Sequence, residues 1–241
     1  MKIVRVEDYD KMSRTAANII SAQVILKPTS VLGLATGSTP IGVYQQLIKW
    51  YEKGDLDFSQ VTTINLDEYK GLSPEDAHSY KYYMRDAFHK HINIKPENIH
   101  LPNGLAEDPD AECRRYDDVI QNSGGVDTQL LGIGHNGHIG FNEPGSVFHR
   151  DTYVTDLTSR TLEANNRFFS KEDVQPVSAY TMGIKAIMQA KRIVVIVSGK
   201  SKAAILNTAL NGPIDPQVPA SILQIHNDVT LIADQDALSY L

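Results

Sequence analysis

The sequence predicts a single-domain α/β fold, with a mostly parallel sheet and helices on both of its faces. Short apolar runs rich in β-branched residues recur along the 241 residues. These runs lack the polar alternation of strands that face water on one side. Stretches with helical periodicity separate them, as crossover connections between parallel strands require. No repeat or linker-like tract interrupts this alternation, so we expect one domain over residues 1–241.

Five apolar runs are predicted to form buried strands, and a weaker sixth run joins them. They are VLGLA (31–35), VTTINL (61–66), QLLGIG (129–134), RIVVIVSG (192–199), VTLIAD (229–234) and, more weakly, NIHLPNG (98–104). In a parallel α/β sheet, ligands bind outside the carboxyl ends of the strands. The loops TGSTP, DEYKG, HNGHIGFNEP and SGKSK are therefore expected to meet at one edge of a modified Rossmann-like sheet.

Helical spacing of apolar residues marks the segments between the strands. One series runs from Ile41 to Tyr51, and another runs from Tyr80 to Phe88. Both place apolar side chains three or four residues apart, which puts them on one face of a helix. Asp108 followed by Pro109 supplies an N-cap and a first-turn proline, so a helix is predicted over AECRRYDDVI.

Composition and charge exclude several classes of protein. The chain is 41% hydrophobic and 22% charged, and no apolar run is long enough to span a membrane. The N-terminal MKIVRVEDYDKMSR lacks the pattern of a signal peptide, so a cytoplasmic location is expected. A single cysteine, Cys113, excludes an intrachain disulfide and a cysteine-built metal site. The net charge of -6 gives no electrostatic reason to expect nucleic acid or an anionic membrane as a partner.

Two glycine-containing turns have the features of phosphate sites. The first leaves a strand through Thr36, Gly37, Ser38 and Thr39. It enters a helix at Pro40, and Thr39 is expected to cap that helix. Free amides and the positive end of a helix dipole attract phosphate. The segment SGKSKAAIL (198–206) repeats this arrangement and adds Lys200 and Lys202. Either turn alone is an ordinary strand-to-helix connection, whereas the pair favours a phosphorylated small molecule.

Two adjacent carboxylates end the strand in INLDEYKGL (64–72). The side chains of Asp67 and Glu68 point in different directions, so at most one of them is expected to face a ligand. A carboxylate that leaves an apolar strand into a cleft is partly desolvated, which raises its pKa and suits a general base. The alternative is a helix or turn cap, which is a common role for aspartate.

The glycine-rich stretch LLGIGHNGHIGFNEPG (130–145) contains the GxGxxG spacing of dinucleotide sites. Its proline and final glycine preclude the helix that such a site requires, so NAD is rejected. His135 and His138 lack the helical geometry of an HExxH zinc site, and no metal is expected. His138 and Glu143 are interpreted as a titrating pair in which the carboxylate orients the ring. The alternative is a ring that only hydrogen-bonds its own turn.

In their order and spacing, five motifs resemble those of the glucosamine-6-phosphate deaminase family. They are LGLATGSTP, NLDEY, GIGHNGHIGFNEPG, ANNRFF and SGKSKA. The resemblance runs through nearly the whole chain. It implies conversion of glucosamine 6-phosphate and water to fructose 6-phosphate and ammonia in amino-sugar catabolism, without a metal or an organic cofactor.

The resemblance also implies roles for individual residues. It makes Asp67 the base that moves a proton between C2 and C1 of the opened sugar, and His138 the acid and base that opens the ring. Glu143 supports His138. Asn136 stands where many members of the family have an aspartate, and an amide cannot stabilise an imidazolium by charge. We therefore expect an altered pH dependence rather than loss of activity.

A phosphate clamp, a lid and an oligomeric state follow from the same resemblance. The clamp consists of the 36–39 turn, Arg167 and Lys202, and Arg167 lies in a helical lid segment of about residues 150–180. Longer members of the family carry a C-terminal extension associated with hexamers and allosteric control. This chain ends at ALSYL and resembles the short form, so a monomer is expected.

Three other functions remain open on the sequence alone. The first is a 6-phosphogluconolactonase-type hydrolase on a related scaffold. The second is an aldose–ketose isomerase that acts on a sugar phosphate. The third is a sugar-phosphate-binding regulator without activity, for which the phosphate clamp alone would suffice.

Overall fold

Two sheets organise the computed structural model, which describes residues 1–166, 169 and 174–241. The large sheet contains β1 (Lys2–Val6), β2 (Val31–Leu34), β3 (Thr62–Asn65), β5 (Ile99–His100), β6 (Thr128–Leu131), β9 (Arg192–Val197) and β10 (Val229–Asp234). Its order is β1-β10-β9-β6-β2-β3-β5, and neighbouring strands pair in parallel. The small sheet contains β4 (Asp67–Tyr69), β7 (Tyr153–Asp156) and β8 (Ser178–Thr181), paired antiparallel in the order β4-β8-β7.

Seven α-helices connect these strands within the described residues. They are α1 (Tyr9–Leu26), α2 (Ile41–Glu52), α3 (Tyr80–Ala87), α4 (Pro109–Asn122), α5 (Ser159–Asn165), α6 (Ile184–Met188) and α7 (Ala203–Asn211). Short 3-10 helices cover His89–His91, Pro96–Asn98, Lys200–Lys202 and Pro219–Ile225. None of the described helices combines the length and the apolar composition needed to cross a membrane.

Both faces of the large sheet are buried, which explains the apolar runs that predicted its strands. Leu32 and Leu34 of β2 pack with side chains of α1 and α2 on one face. Val31 of the same strand packs on the other face, in a cluster that includes Tyr116 of α4 and Leu206 of α7. Successive residues of a strand face opposite sides, so both sides of the sheet must be apolar. The predicted α/β class with helices on both faces is confirmed.

The strand order reverses between β2 and β6. From β2 the chain adds β3 and β5 on one side, then returns to β6 on the other side of β2 and continues to β9 and β10. A crevice opens at such a reversal, beyond the carboxyl ends of the strands. The loops after β2 and β6 are the 36–39 turn and the glycine-rich stretch, so the topology places these two motifs side by side.

All six predicted strands form, whereas β1, β4, β7 and β8 were not predicted. β1 is an edge strand with exposed side chains, and the other three are short and carry polar residues. The helices after Pro40, Ser79 and Asp108 also form as expected, and the Asp108 side chain accepts a hydrogen bond from the backbone of Ala111.

The prediction that Thr39 caps α2 is wrong. Pro40, not Thr39, takes the N-cap position of α2 in a helical conformation, and it makes no side-chain capping hydrogen bond. Thr39 therefore lies one residue before the N-cap position of α2. The hydroxyl of Tyr9, at the start of α1, accepts the hydrogen bond from the backbone N–H of Gly42 at 2.9 Å instead. A long-range contact replaces the local cap, which sequence spacing could not reveal.

The segment of about residues 150–180 contains one described helix, α5, between β7 and β8. Hydrogen-bonded strands at both of its ends, β7 and β8, join it to the small sheet. The role of this segment as a lid stays a prediction.

Candidate active site

The predicted strand-end loops meet around one cavity of about 430 Å³ at the carboxyl edge of the large sheet. Its lining includes the 36–39 turn after β2, Asp67 at the start of β4, and residues 132–136 after β6. Ser198 and Lys202 line it from the loop after β9. The four motifs come from distant parts of the chain, and their convergence confirms the prediction drawn from the rule for parallel sheets.

Asp67 faces the cavity as a buried carboxylate. In the described part of the chain, no hydrogen bond reaches its side-chain oxygens. Burial raises its pKa well above the usual value, and the neighbouring charge of Glu68 raises it further. Gly140 passes beside it, and a Cβ added to that glycine would lie 3.4 Å from Oδ2. A carboxylate with high proton affinity, adjacent to open space, has the properties of a general base.

Glu68 points away from the cavity and binds the first turn of α3, as expected for one of two adjacent acids. Its Oε1 accepts the backbone N–H groups of Tyr69 and Tyr80 at 2.9 and 2.8 Å. Its Oε2 accepts the N–H of Lys81 at 2.8 Å. Burial raises the pKa of Glu68 to about 7, although these hydrogen bonds act in the opposite direction. Glu68 therefore fixes Tyr80, which lines the cavity, relative to the strand of Asp67.

His138 packs its ring directly against the backbone of Gly134. A Cβ added to Gly134 would lie 2.2 Å from Nε2 of the ring, a distance that real Cβ atoms do not reach. The turn itself is closed by the backbone of the same residues, because the N–H of Gly134 donates to the carbonyl of His138 at 2.9 Å. The glycine at position 134 is thus required by the histidine, not by a dinucleotide.

Glu143 lies beside His138 as expected. Its Oε1 is 3.5 Å from Nδ1 of His138, an ion-pair distance that is too long for a strong hydrogen bond. Asn136 donates from Nδ2 to Oε2 of Glu143 at 2.5 Å. Burial raises the pKa of Glu143, but hydrogen bonds and the charge of His138 outweigh burial, and the pKa is lowered. The predicted trio of Asn136, His138 and Glu143 is therefore assembled, with an ionised carboxylate at its centre.

Two contacts of Glu143 were not predicted from the sequence. Thr158 and Thr161, at the start of α5, both donate their hydroxyls to its carboxylate. From the sequence, Thr158 would be interpreted as the cap of a short helix and Thr161 as an ordinary residue of its first turn. No periodicity or spacing in the sequence links them to a carboxylate fifteen or more residues away.

The 36–39 turn is held by two tyrosines from outside it. Tyr83 of α3 donates its hydroxyl to the carbonyl of Gly37 at 2.7 Å. Tyr9 of α1 donates to the carbonyl of Ser38 at 3.2 Å. These two hydrogen bonds fix the backbone of the turn, and all four of its residues form part of the cavity lining. This arrangement suits a phosphate group.

The loop after β9 completes the cavity on the opposite side. Nζ of Lys202 donates to the carbonyl of Ile133 at 2.7 Å, which ties the loop to the glycine-rich stretch. Asp234 accepts the hydroxyl of Ser198 at 2.5 Å and the N–H of Gly199 at 3.0 Å. Lys200 is exposed and does not line the cavity, so only one of the two predicted lysines is in place. Arg167 lies outside the described residues.

The structure also bears on the alternatives for the glycine-rich stretch. Residues 132–158 are all described, and no α-helix begins among them, which is inconsistent with a dinucleotide fingerprint. Among the described residues, no group of three or more His, Cys, Asp and Glu side chains is arranged to hold a metal ion. The expectation that the protein needs neither a metal nor an organic cofactor stays a prediction.

Fold and cavity together define the class: a parallel α/β protein with acid–base side chains and an amide-rich turn at one topological switch point. Comparison with known sequences then identifies the family. The family of glucosamine-6-phosphate isomerases/6-phosphogluconolactonase matches residues 7–232. The chain belongs to this family.

Individual relatives are similar over their full length. A glucosamine-6-phosphate deaminase of Lachnoclostridium phytofermentans is 58% identical over 232 residues, which cover 96% of this chain and 98% of that protein. A glucosamine-6-phosphate deaminase of Clostridium acetobutylicum is 53% identical over 241 residues, with 100% of both chains covered. Neither alignment leaves a large segment of this chain without a counterpart.

Solved structures agree in fold. A monomeric glucosamine-6-phosphate deaminase has a TM-score of 0.97 and 48% identity, with 100% of both chains covered. A 6-phosphogluconolactonase from Thermotoga maritima has a TM-score of 0.77 and 17% identity, covering 97% of this chain and 99% of the other. The second similarity concerns the fold alone.

Proposed function

We propose that this protein converts glucosamine 6-phosphate and water to fructose 6-phosphate and ammonia. One observation carries the proposal. A buried carboxylate of raised pKa, a histidine whose Nδ1 lies 3.5 Å from a second carboxylate, and a glycine-containing turn surround a single cavity. The full-length similarity to proteins named glucosamine-6-phosphate deaminase supports this reaction over the alternatives on the same fold.

His138 is the proposed group for opening the sugar ring. The step removes the proton of the O1 hydroxyl and delivers a proton to the ring oxygen, which one neutral imidazole can do in sequence. Glu143 lies within ion-pair distance of Nδ1, so the transient imidazolium is stabilised by a negative charge. Asn136 keeps that carboxylate in place by the hydrogen bond from its amide.

Asp67 is the proposed base for the isomerisation. In the open aldose, the C2 proton is acidified by the adjacent aldehyde. Asp67 takes this proton while O1 takes up a proton from solvent, so an enolamine forms. The same carboxyl then returns its proton to C1. The product is a protonated imine at C2, and the extra proton returns to solvent when this imine is hydrolysed. Water adds to that carbon, and ammonia leaves with the electrons of the C–N bond, giving fructose 6-phosphate. The raised pKa of Asp67 matches a group that must hold the proton between two carbons.

The phosphate group is the proposed anchor of the substrate. The 36–39 turn and Lys202 lie on the cavity wall, and Arg167 completes the proposed clamp. Binding energy from a phosphate remote from C1 and C2 positions the sugar and is available for transition-state stabilisation.

The proposal also covers the class of reaction and the oligomeric state of the protein. Water is consumed when the imine is cleaved, so the proposed reaction is a hydrolytic deamination coupled to aldose–ketose isomerisation. The high similarity to a deaminase described as monomeric supports a monomer. Oligomeric mass measured in solution by light scattering tests it. The cytoplasmic location expected from the sequence stays a prediction.

The decisive experiment is ammonia release from glucosamine 6-phosphate by the purified protein in the presence of EDTA. Equal amounts of ammonia and fructose 6-phosphate are expected. Fructose 6-phosphate is measured by a coupled assay, so an isomerase that retains the amino group is distinguished by the missing ammonia. Absence of ammonia, with hydrolysis of 6-phosphogluconolactone, would assign the cavity to a lactonase. Binding without turnover of either compound would indicate a regulator.

A further inference from the structure

The first turn of α5 is attached to the carboxylate that supports His138. The hydroxyl of Thr161 donates to Oε1 of Glu143, and the hydroxyl of Thr158 donates to Oε2 at 3.2 Å. Thr158 is also the N-cap of α5, because its Oγ1 accepts the backbone N–H of Thr161 at 3.3 Å. The helix and the carboxylate are thus joined by two side-chain contacts at one end of the helix.

Thr161 binds the particular oxygen that faces the histidine. Oε1 of Glu143 is the atom at 3.5 Å from Nδ1 of His138, whereas Oε2 is shared by Asn136 and Thr158. Thr161 is 4% exposed and lines the cavity. A hydroxyl that donates to a carboxylate oxygen stabilises its ionised form and fixes the position of that oxygen.

We propose that Thr161 is a positioning residue for the reaction. Its hydroxyl holds Oε1 of Glu143 ionised and at a set distance from His138. This inference deepens the proposed function and rests on it. Because Thr161 belongs to α5, the helix cannot leave its place without removing two hydrogen bonds from Glu143. The position of α5 and the state of the acid–base pair are therefore coupled.

The titratable groups around Glu143 determine the direction in which its pKa should move when Thr161 is replaced. His138 faces it from the glycine-rich stretch, and Tyr153 of β7 is within electrostatic range. The hydrogen bond from Thr161 is one of the contributions that lower the pKa of Glu143 against the effect of burial. Loss of that hydrogen bond raises the pKa, so Glu143 takes up a proton at a higher pH than in the unmodified protein.

The test compares three substitutions. Thr161→Val keeps the shape of the side chain and removes the donor, whereas Thr161→Ser keeps the donor. Thr155→Val is the matched control on β7, because the hydroxyl of Thr155 donates to the backbone of Asp156 and does not contact Glu143. For Thr161→Val we expect kcat to fall about tenfold, since a hydrogen bond to a charged group contributes about 1.5 kcal/mol or more. The acid limb of the pH profile should move to higher pH, with KM little changed.

A second measurement does not depend on activity. The side-chain carboxyl of Glu143 is titrated by ¹³C NMR in the substrate-free protein and assigned with Glu143→Gln. Thr161→Val should raise the titration midpoint, and Thr161→Ser and Thr155→Val should leave it in place. If the wild-type protein releases no ammonia, the proposed function fails, but this titration still decides the role of Thr161.

Three results would overturn the inference. One is a Glu143 midpoint that does not move in Thr161→Val. Another is Thr161→Ser being as impaired as Thr161→Val, which would indicate packing rather than the hydroxyl. The last is a change in KM alone, which would make Thr161 a substrate contact. Serine is smaller than threonine and keeps the donor, so the comparison remains decisive even if the valine variant folds poorly.

Discussion

Nδ2 of Asn136 lies 2.5 Å from Oε2 of Glu143, while Oδ1 of Asn136 accepts the backbone N–H of His138 at 3.2 Å. One amide therefore connects both members of the proposed acid–base pair. An ionised aspartate in its place could accept the N–H of His138, but it has no donor for Glu143. The amide is thus matched to a neighbouring carboxylate that carries the negative charge alone.

Asn136→Asp should move the acid limb of kcat/KM to higher pH, by about one pH unit. The substitution removes a donor from Glu143 and adds a negative charge beside it, and both changes raise the pKa of Glu143. Ammonia release measured across a pH series checks the shift. Asn18→Asp adds the same charge at an exposed position on α1 and serves as the control. An acid limb that stays in place, or moves to lower pH, contradicts the arrangement.

Asp67→Asn should lower kcat by about 100-fold or more, because the amide cannot take the C2 proton. Inhibitor binding should persist, since the 36–39 turn and Lys202 are unchanged. Steady-state kinetics and inhibition by inorganic phosphate measure the two effects separately. Asp55→Asn, at an exposed position, controls for loss of one negative charge. Turnover close to that of the wild type would remove Asp67 from the mechanism.

Glu68→Gln should lower the free energy of unfolding by about 1–3 kcal/mol, because its amide nitrogen cannot accept the backbone N–H groups at the start of α3. The difference in the free energy of unfolding between the wild type and Glu68→Gln should decrease as pH rises from 4.5 to about 7. Burial raises the folded-state pKa of Glu68 from 4.5 to about 7. The stability that Glu68 contributes is therefore fully present below 4.5 and is lost as pH rises through 7.

Denaturant unfolding of both proteins at several pH values tests this dependence on Glu68. Glu97→Gln, exposed near β5, is the matched control and should show a constant difference from the wild type. A stability gap for Glu68→Gln that widens with rising pH would show that the carboxylate is ionised more easily in the fold than in the unfolded chain.

Gly134→Ala should reduce kcat by about 100-fold, because the added methyl group occupies the place of the His138 ring. Overpacking of this kind also costs about 1–3 kcal/mol of stability. Gly145→Ala is the control, since its added Cβ meets only ordinary contacts at 3.8 Å or more. Kinetics and thermal unfolding of both variants separate the two effects. Equal activity in both variants would mean that the ring does not depend on the open space at position 134.

The central sheet and the position of the cavity follow from the amino-acid sequence alone. Strands buried on both faces need continuous apolar runs. The apolar runs in the sequence therefore predict five strands, namely β2, β3, β6, β9 and β10. Parallel strands bring their following loops to one edge, so the order of strands and loops along the chain is enough to place the 36–39 turn beside the glycine-rich stretch. Asp67, Asn136, His138 and Glu143 lie in these loops. The local pattern singled out Asp67, His138 and Glu143, whereas Asn136 was named only through the family resemblance.

The groups that hold those residues in place depend on the tertiary fold. Tyr9 replaces Thr39 at the start of α2, Glu68 binds the first turn of α3, and Thr161 binds Glu143 from α5. Each is a contact of one or two polar atoms between segments that the fold brings together. Such contacts leave no periodicity in the sequence, because a polar residue at the surface and one that binds a buried carboxylate have the same local pattern. The apolar pattern specifies the scaffold, whereas the position and the pKa of each proposed catalytic group depend on neighbours that only folding supplies.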